Sequence, residues 1–405
     1  MKRFFLLSAL LSILCCGCAH QRQQDTLTVV VSLDAFRWDY TDIHRAPWLD
    51  SIGRAGIRAV MKPSYPSSTF PNHYTLATGL RPDHHGIVNS SFWDSERGVM
   101  YGMGDSTTRN RPYYYGGEPI WATAGKQGVR TASVYWVGSD IPIGGALPTY
   151  WLYWYDTPRL DFAARVQETL RLAALPEDER PALIMTYFDE PDMTGHEFGP
   201  ASIETGLMVA YLDSLMGVLY RGLRALPHGD RVNLIVTADH GMTDISDERC
   251  VRIDEAVDTS LCERIVSTNP TTIFSKPGCR DRILEQLSNV EHISAWKSEE
   301  VPGHLHYGSS PRLGDIVVAP DLGWQFTFKP RGILGAHGFD PEEPDMQVIF
   351  RAVGPDFKPG YVKADKFDNV DLYPLLARLL RIRPAATDGS LEEVSDLLAC
   401  PHPIK

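Results

Sequence analysis

The 405-residue chain carries a formal net charge of -12 and is 43% hydrophobic and 22% charged, which excludes a long disordered tract and predicts a packed core. An acidic chain does not coat nucleic acid, because that task needs a basic surface to replace the counterions along the phosphates. At this length, one α/β domain with a sizeable insertion fits better than two full domains.

In chain order, Lys2 and Arg3 precede an apolar run from Phe4 to Leu14, the pattern of an export signal and too short to span a bilayer. Gly17-Cys18 closes it as in a bacterial lipoprotein leader, residues 1-18, with Cys18 as the lipidated residue. Cys15 is unusual at the third place before it, and cleavage after Ala19 is the alternative. Lipidation predicts an outer-membrane-anchored lipoprotein of a bacterium, attached to membrane only through Cys18, and plain cleavage predicts a periplasmic protein. No later segment reaches about 18 continuous apolar residues. Of the seven cysteines, Cys250, Cys262, Cys279 and Cys400 follow the leader, and four cysteines allow three pairings.

Thr28 to Leu33 is a β-branched and apolar run ending at Asp34, the pattern of a buried parallel strand with a polar residue at its carboxyl end. That end is where open α/β sheets carry their sites. The pattern returns at Ala182 to Phe188 before Asp189, and at Val232 to Thr237 before Ala238, Asp239 and His240. Phe162 to Ala174 and Ile203 to Leu226 have apolar residues at three and four, as amphipathic helices do. Alternating strand and helix predicts a mainly parallel sheet covered on both faces. From about 242 to 335 the pattern is irregular and reads as an insertion within a single catalytic domain, residues 26-405.

Three further stretches carry chemistry. Tyr65-Pro66-Ser67-Ser68-Thr69-Phe70-Pro71-Asn72-His73 precedes a helix-like segment, so Thr69 reads as a helix cap or as a nucleophile; the two are compatible, since a helix start offers free N–H groups to an anion. Asp192 and His196 stand four apart, and Asp239-His240 are adjacent after a strand. With Asp34 and His337 these groups make two sites of mixed carboxylate and imidazole ligands. Nitrogen and oxygen donors without thiolate suit zinc in open, catalytic sites.

The blocks VVVSLDAFRWDY, YPSSTFPNHYTLATGLRPDHHGI, FDEPDMTGHEFGP, TADHGM and GAHGFDP, in this order, resemble the nucleotide pyrophosphatase/phosphodiesterase family of the alkaline phosphatase superfamily. The resemblance implies an alkaline phosphatase-like α/β fold with an inserted subdomain, and two Zn²⁺ per chain. Asp34, Thr69, Asp239 and His240 would hold one ion and Asp192, His196 and His337 the other, with Asp189 a neighbour. It implies that Thr69 forms a phosphothreonine. It also implies an Asn after the His-Gly-Ile segment as a phosphoryl donor. Here the chain departs: Ser90 falls at that place and Asn89 one place early, so either Ser90 substitutes or the loop brings Asn89 in.

For substrate, the resemblance implies an aromatic sandwich on a nucleotide base, with Phe70 and Tyr155 as the matching residues. The expected reaction is cleavage of phosphodiester or pyrophosphate bonds to give nucleoside 5′-monophosphates. The aromatic loop Tyr150 to Tyr155 also fits a choline cage, so a choline-type (lyso)phospholipid phosphodiesterase is the alternative. A phosphomonoesterase on the same core is another, and a non-catalytic surface lipoprotein has no need of Thr69 with both ligand sets. A sulfatase would carry Cys or Ser followed by Pro and Arg. The further nuclease-like or cysteine-rich domains of some animal relatives are not expected.

Overall fold

The computed structural model describes residues 26-326 and 332-399. The leader with Cys18, and Cys400, lie outside these residues. Among those described, nine strands form one central sheet: β1 (Leu27–Leu33), β2 (Ile57–Lys62), β3 (Thr131–Val134), β4 (Tyr150–Trp151), β5 (Leu183–Phe188), β6 (Val232–Thr237), β7 (Val348–Val353), β8 (Tyr361–Val362) and β9 (Phe367–Asp368).

The order is β8-β2-β7-β6-β1-β5-β3-β4, with β9 also pairing β2. Only β7 runs against its neighbours β2 and β6, and the mainly parallel sheet read from the sequence is observed. Every residue of β1, β5 and β6 is buried, as a strand covered on both faces requires. Register sets the site. Leu33 lies beside Phe188 and Ser32 beside Thr237, so Asp34, Asp189 and the Ala238-Asp239-His240 turn leave one edge together.

Helices Pro47–Ala55, Phe162–Ala173 and Ile203–Arg224 pack together on one face, and Thr69–Thr78, Ile120–Lys126 and Leu372–Leu379 on the other. Helix Ile203–Arg224 is long and apolar enough to cross a membrane. It buries Val209, Leu212, Met216, Leu219 and Leu223, and its Asp213 accepts the Trp48 and Leu49 N–H groups at the start of helix Pro47–Ala55. Such a cap satisfies donors a helix cannot satisfy itself.

The irregular stretch holds a folded unit. Strands Cys262–Val266, Thr271–Ser275, Ile316–Pro320 and Ile293–Lys297 form an antiparallel sheet in that order. It has its own core, including Ile273, Ile283, Leu287, Ile316 and Val318.

Candidate active site

Asp34 follows β1 and Asp239-His240 follow β6. Thr69 is the first residue of its helix, and Ser68, with φ -138° and ψ 152°, takes the capping place. Thr69 is therefore not the cap itself. Its Oγ1 lies 3.1 Å from His240 Nε2. The same Nε2 lies 3.1 Å from Asp239 Oδ2 and 3.3 Å from Asp34 Oδ1. Gly241 is required by the turn, because a Cβ there would stand 1.9 Å from the Asp345 carbonyl oxygen.

Asp192 opens helix Asp192–Phe198, and His196 is one turn on, on the same face. His337 follows the short strand Gly335–Ala336, which pairs with Thr243–Asp244. Asp192 Oδ1 is 3.5 Å from both His196 Nε2 and His337 Nε2. The rings of His240 and His337 stack with centroids 3.8 Å apart, which joins the two groups into one constellation. Asp189 turns away and pairs with Arg165 at 2.8 Å and Arg159 at 3.5 Å.

Two observations test whether a cation fits. Asp34 Oδ1, Asp239 Oδ2 and Asp192 Oδ1 are buried without a hydrogen-bond donor, an arrangement costly for a carboxylate unless something positive faces it. Each histidine also directs Nδ1 to a backbone carbonyl: His240 to Gly241 at 2.8 Å, His196 to Gly335 at 2.7 Å and His337 to Ser67 at 3.0 Å. That fixes the tautomer with a bare Nε2 facing the carboxylates, as in metal-binding histidines. Burial first, then the charges of Asp239 and Asp192, raises the Asp34 carboxyl well above its usual range; burial likewise raises Asp239. Burial, followed by His337, drives His240 down, and burial holds His337 near 4. Asp34 with Asp239 and His240, and Asp192 with His240 and His337, are placed to hold metal ions.

On the substrate side, the Arg109 guanidinium lies 5.8 Å from the Phe70 ring and 5.1 Å from that of Tyr155, and is gripped by Asp140 at 2.9 Å. Tyr155 donates to the Met103 carbonyl, and Tyr153 accepts from Asn110. Trp154 is taken up by packing on Tyr135 and Tyr187. Ser90 Oγ lies 3.1 Å from Ser68 Oγ, next to Thr69. The Asn89 amide instead donates to Thr268 Oγ1 and the Asn269 carbonyl, while its Oδ1 accepts the Ser90 N–H at 2.8 Å.

Residues 28–340 match the family described as type I phosphodiesterase / nucleotide pyrophosphatase. The chain belongs to the nucleotide pyrophosphatase/phosphodiesterase family. It is 35% identical over 396 residues to venom phosphodiesterase CdcPDE of Crotalus durissus collilineatus, covering 92% of this chain but 46% of that protein; the chain spans about half the length of such venom relatives. It is 31% identical over 402 residues to human ectonucleotide pyrophosphatase/phosphodiesterase family member 5, covering 98% of this chain and 83% of the relative. The structure of murine member 5, an inactive threonine-to-alanine form in complex with AMP, superposes with a TM-score of 0.87 at 31% identity over 92% of this chain and all of the other. The fold is thus that of the phosphodiesterases of the alkaline phosphatase superfamily.

Several residues of this family member escaped the sequence. His73 is buried with Nδ1 3.2 Å from Asp239 and 2.9 Å from the Thr69 carbonyl, and Nε2 2.9 Å from Ser32. Tyr187 donates to Asp34. His73 stands one helical turn after Thr69, which was the available signal. Arg109 and Asp140, 31 positions apart, gave none.

Proposed function

We propose that the chain is an exported, zinc-dependent hydrolase that cleaves phosphodiester or pyrophosphate bonds of nucleotides and releases nucleoside 5′-monophosphates through a phosphothreonine on Thr69. The observation that carries this reading is the Thr69 hydroxyl, set at a helix start against His240 Nε2, which itself faces the donorless carboxylate oxygens of Asp34 and Asp239. Asp34, Asp239 and His240 with Thr69 would hold one zinc, and Asp192, His196 and His337 a second. Zinc bound there supplies positive charge that acidifies a neighbouring oxygen and offsets charge on a departing one.

The chain's own groups do the rest. Thr69 Oγ1 attacks phosphorus and displaces the ester oxygen; water then hydrolyses the phosphothreonine and restores the hydroxyl. The free N–H groups at the start of the ten-residue helix face the phosphoryl oxygens. Ser90, rather than Asn89, supplies the side-chain donor, because the Asn89 amide is already engaged. Phe70 and Tyr155 take the base. The AMP complex of the murine relative supports a nucleotide, and its inactive threonine-to-alanine form supports the nucleophile. Lys2, Arg3 and the run to Leu14 support export, and loss of membrane association in Cys18→Ser tests the anchor.

The deciding experiment is turnover of dinucleotides, a nucleotide aryl diester, glycerophosphocholine and a nucleoside monophosphate by zinc-loaded protein. Release of 5′-monophosphate from the diesters is expected. Preferential turnover of glycerophosphocholine, or of the monoester, would replace this reading.

A further inference from the structure

The inserted antiparallel unit meets the segments around Thr69 at Tyr307, which donates to the Val88 carbonyl at 3.0 Å, and at the turn joining Cys262–Val266 to Thr271–Ser275. Thr268 and Asn269 lie in that turn. Asn269 Nδ2 donates to the backbone carbonyl of His337 at 2.9 Å. Its own carbonyl, with Thr268 Oγ1, accepts from Asn89 Nδ2 at 3.2 Å. Gly338, at φ +97°, leaves room for this approach: a Cβ there would stand 2.7 Å from the Asn269 carbonyl oxygen.

The turn therefore grips two segments that both contact the stretch just before Thr69. One is the His337 loop, locked to the nucleophile segment by His337 Nδ1 on the Ser67 carbonyl at 3.0 Å and by Ser67 Oγ donating to the Phe339 carbonyl at 2.9 Å. The other is Asn89-Ser90, whose hydroxyl lies against Ser68. A serine side chain is shorter than the amide it replaces, so its reach depends on where the backbone holds it. That backbone is held by Asn89 Oδ1 on the Ser90 N–H, and Asn89 is held by the hairpin.

We propose that the Thr268-Asn269 turn is a clamp that positions Ser90 and the His337 loop together for phosphoryl transfer, with Asn269 and Asn89 as its positioning residues. The proposal rests on the reading of Thr69 as nucleophile and Ser90 as donor.

Two substitutions cut the clamp at separate points. Asn89→Asp keeps an acceptor for the Ser90 N–H and removes the donor to the hairpin; Asn269→Ala removes the tie to His337. Groups that orient a site from behind are typically worth about 10- to 100-fold, so each should lower kcat on a small aryl phosphodiester roughly tenfold with KM little changed. If one clamp serves both, the double variant should lose roughly 10- to 30-fold, short of the hundredfold of independent effects. Asn269→Asp, which keeps the shape but loses the donor, should match Asn269→Ala and guards against misfolding.

Losses that multiply, or a lowered Tm with kcat within twofold of wild type, would overturn the clamp and leave the turn a mere anchor for the insertion. Thr69→Ala in the same assay separates the two levels. If it is inactive while the clamp variants are not impaired, only the clamp falls; if it retains turnover, the reaction and the clamp resting on it both fall.

Discussion

Two histidine regions flank the nucleophile helix, and they use the same side chain in opposite ways. At the sheet edge, His196, His240 and His337 spend Nδ1 on carbonyls and leave Nε2 facing carboxylate oxygens that have no donor. Behind the helix, His85 satisfies both nitrogens: Nδ1 accepts the Ile87 N–H at 3.1 Å, and Nε2 meets Thr75 Oγ1 at 3.0 Å. Burial holds His85 neutral, near 3, much as it holds His337 near 4. Neither burial nor a depressed pKa therefore separates a site histidine from a core one. The separating feature is the partner of the second nitrogen, and an unsatisfied buried carboxylate opposite it marks the place for a cation.

Metal removal is the strongest way to break this comparison. Chelation should abolish turnover, and zinc should restore it better than magnesium, because imidazole ligands favour the borderline metal while magnesium prefers oxygen alone. Hydrolysis of an aryl diester before and after metal addition measures it. Full activity in chelator-stripped, metal-analysed protein would make the bare Nε2 atoms a structural curiosity.

Thr69→Ala comes next. The remaining carboxylates and imidazoles stay in place, so bound zinc should be retained while turnover falls more than about 100-fold, the scale of a lost catalytic group. Residual activity above about one per cent of wild type would argue against a covalent threonine.

The same contrast governs how much the sequence disclosed. β1, β5 and β6 are continuous apolar runs, and their ends were legible to within one residue, because strands buried on both faces have nowhere to put polar side chains. Of the candidate ligands, Asp34, Asp239 and His240 were legible because they sit directly after such runs, and Asp192 and His196 because they stand one helical turn apart, whereas His337 follows only the two-residue strand Gly335–Ala336 and stood out through the resemblance. The sheet inside the irregular stretch was not, since its strands are only five residues long and its core is shared across Ile273, Ile316 and Ile283, which no local periodicity links. Nor was the fate of Asn89: the hydrogen bonds that turn it from Ser90's site to the hairpin span about 180 positions. Pairing across such separations is set by topology, and a single sequence carries no local mark of it.

Tyr155→Ala should have a smaller, selective effect. Stacking of a base on an aromatic is worth about 1–3 kcal/mol, so nucleotide diesters should lose roughly 5- to 100-fold, mostly in KM, and a small aryl diester little. An equal loss in kcat for both substrates would instead assign Tyr155 to holding Arg109 and Asp140 in place.

The smallest effect at neutral pH concerns His85, and it tests the other half of the comparison. Its folded pKa, near 3, is below the ordinary 6.5 of the unfolded chain, so the unfolded state binds the proton first as pH falls. Stability from neutral His85 is thus fully present above about pH 6.5 and drains away between there and about pH 3. At pH 5 the difference amounts to about 2 kcal/mol, from 1.4 kcal/mol per unit over one and a half units. His85→Gln removes that titration. The variant should be less stable than wild type at pH 7, where it loses a well-fitted ring, yet the gap should narrow by roughly this amount at pH 5, as denaturant melts at the two pH values would record. A gap that stays constant would mean that the His85 ring takes up its proton in the folded protein as readily as in the unfolded chain, and that the Ile87 N–H and Thr75 hydroxyl do not hold it neutral. By the same reasoning, His85→Gln should leave the metal requirement of turnover unchanged, because no donorless carboxylate faces that ring.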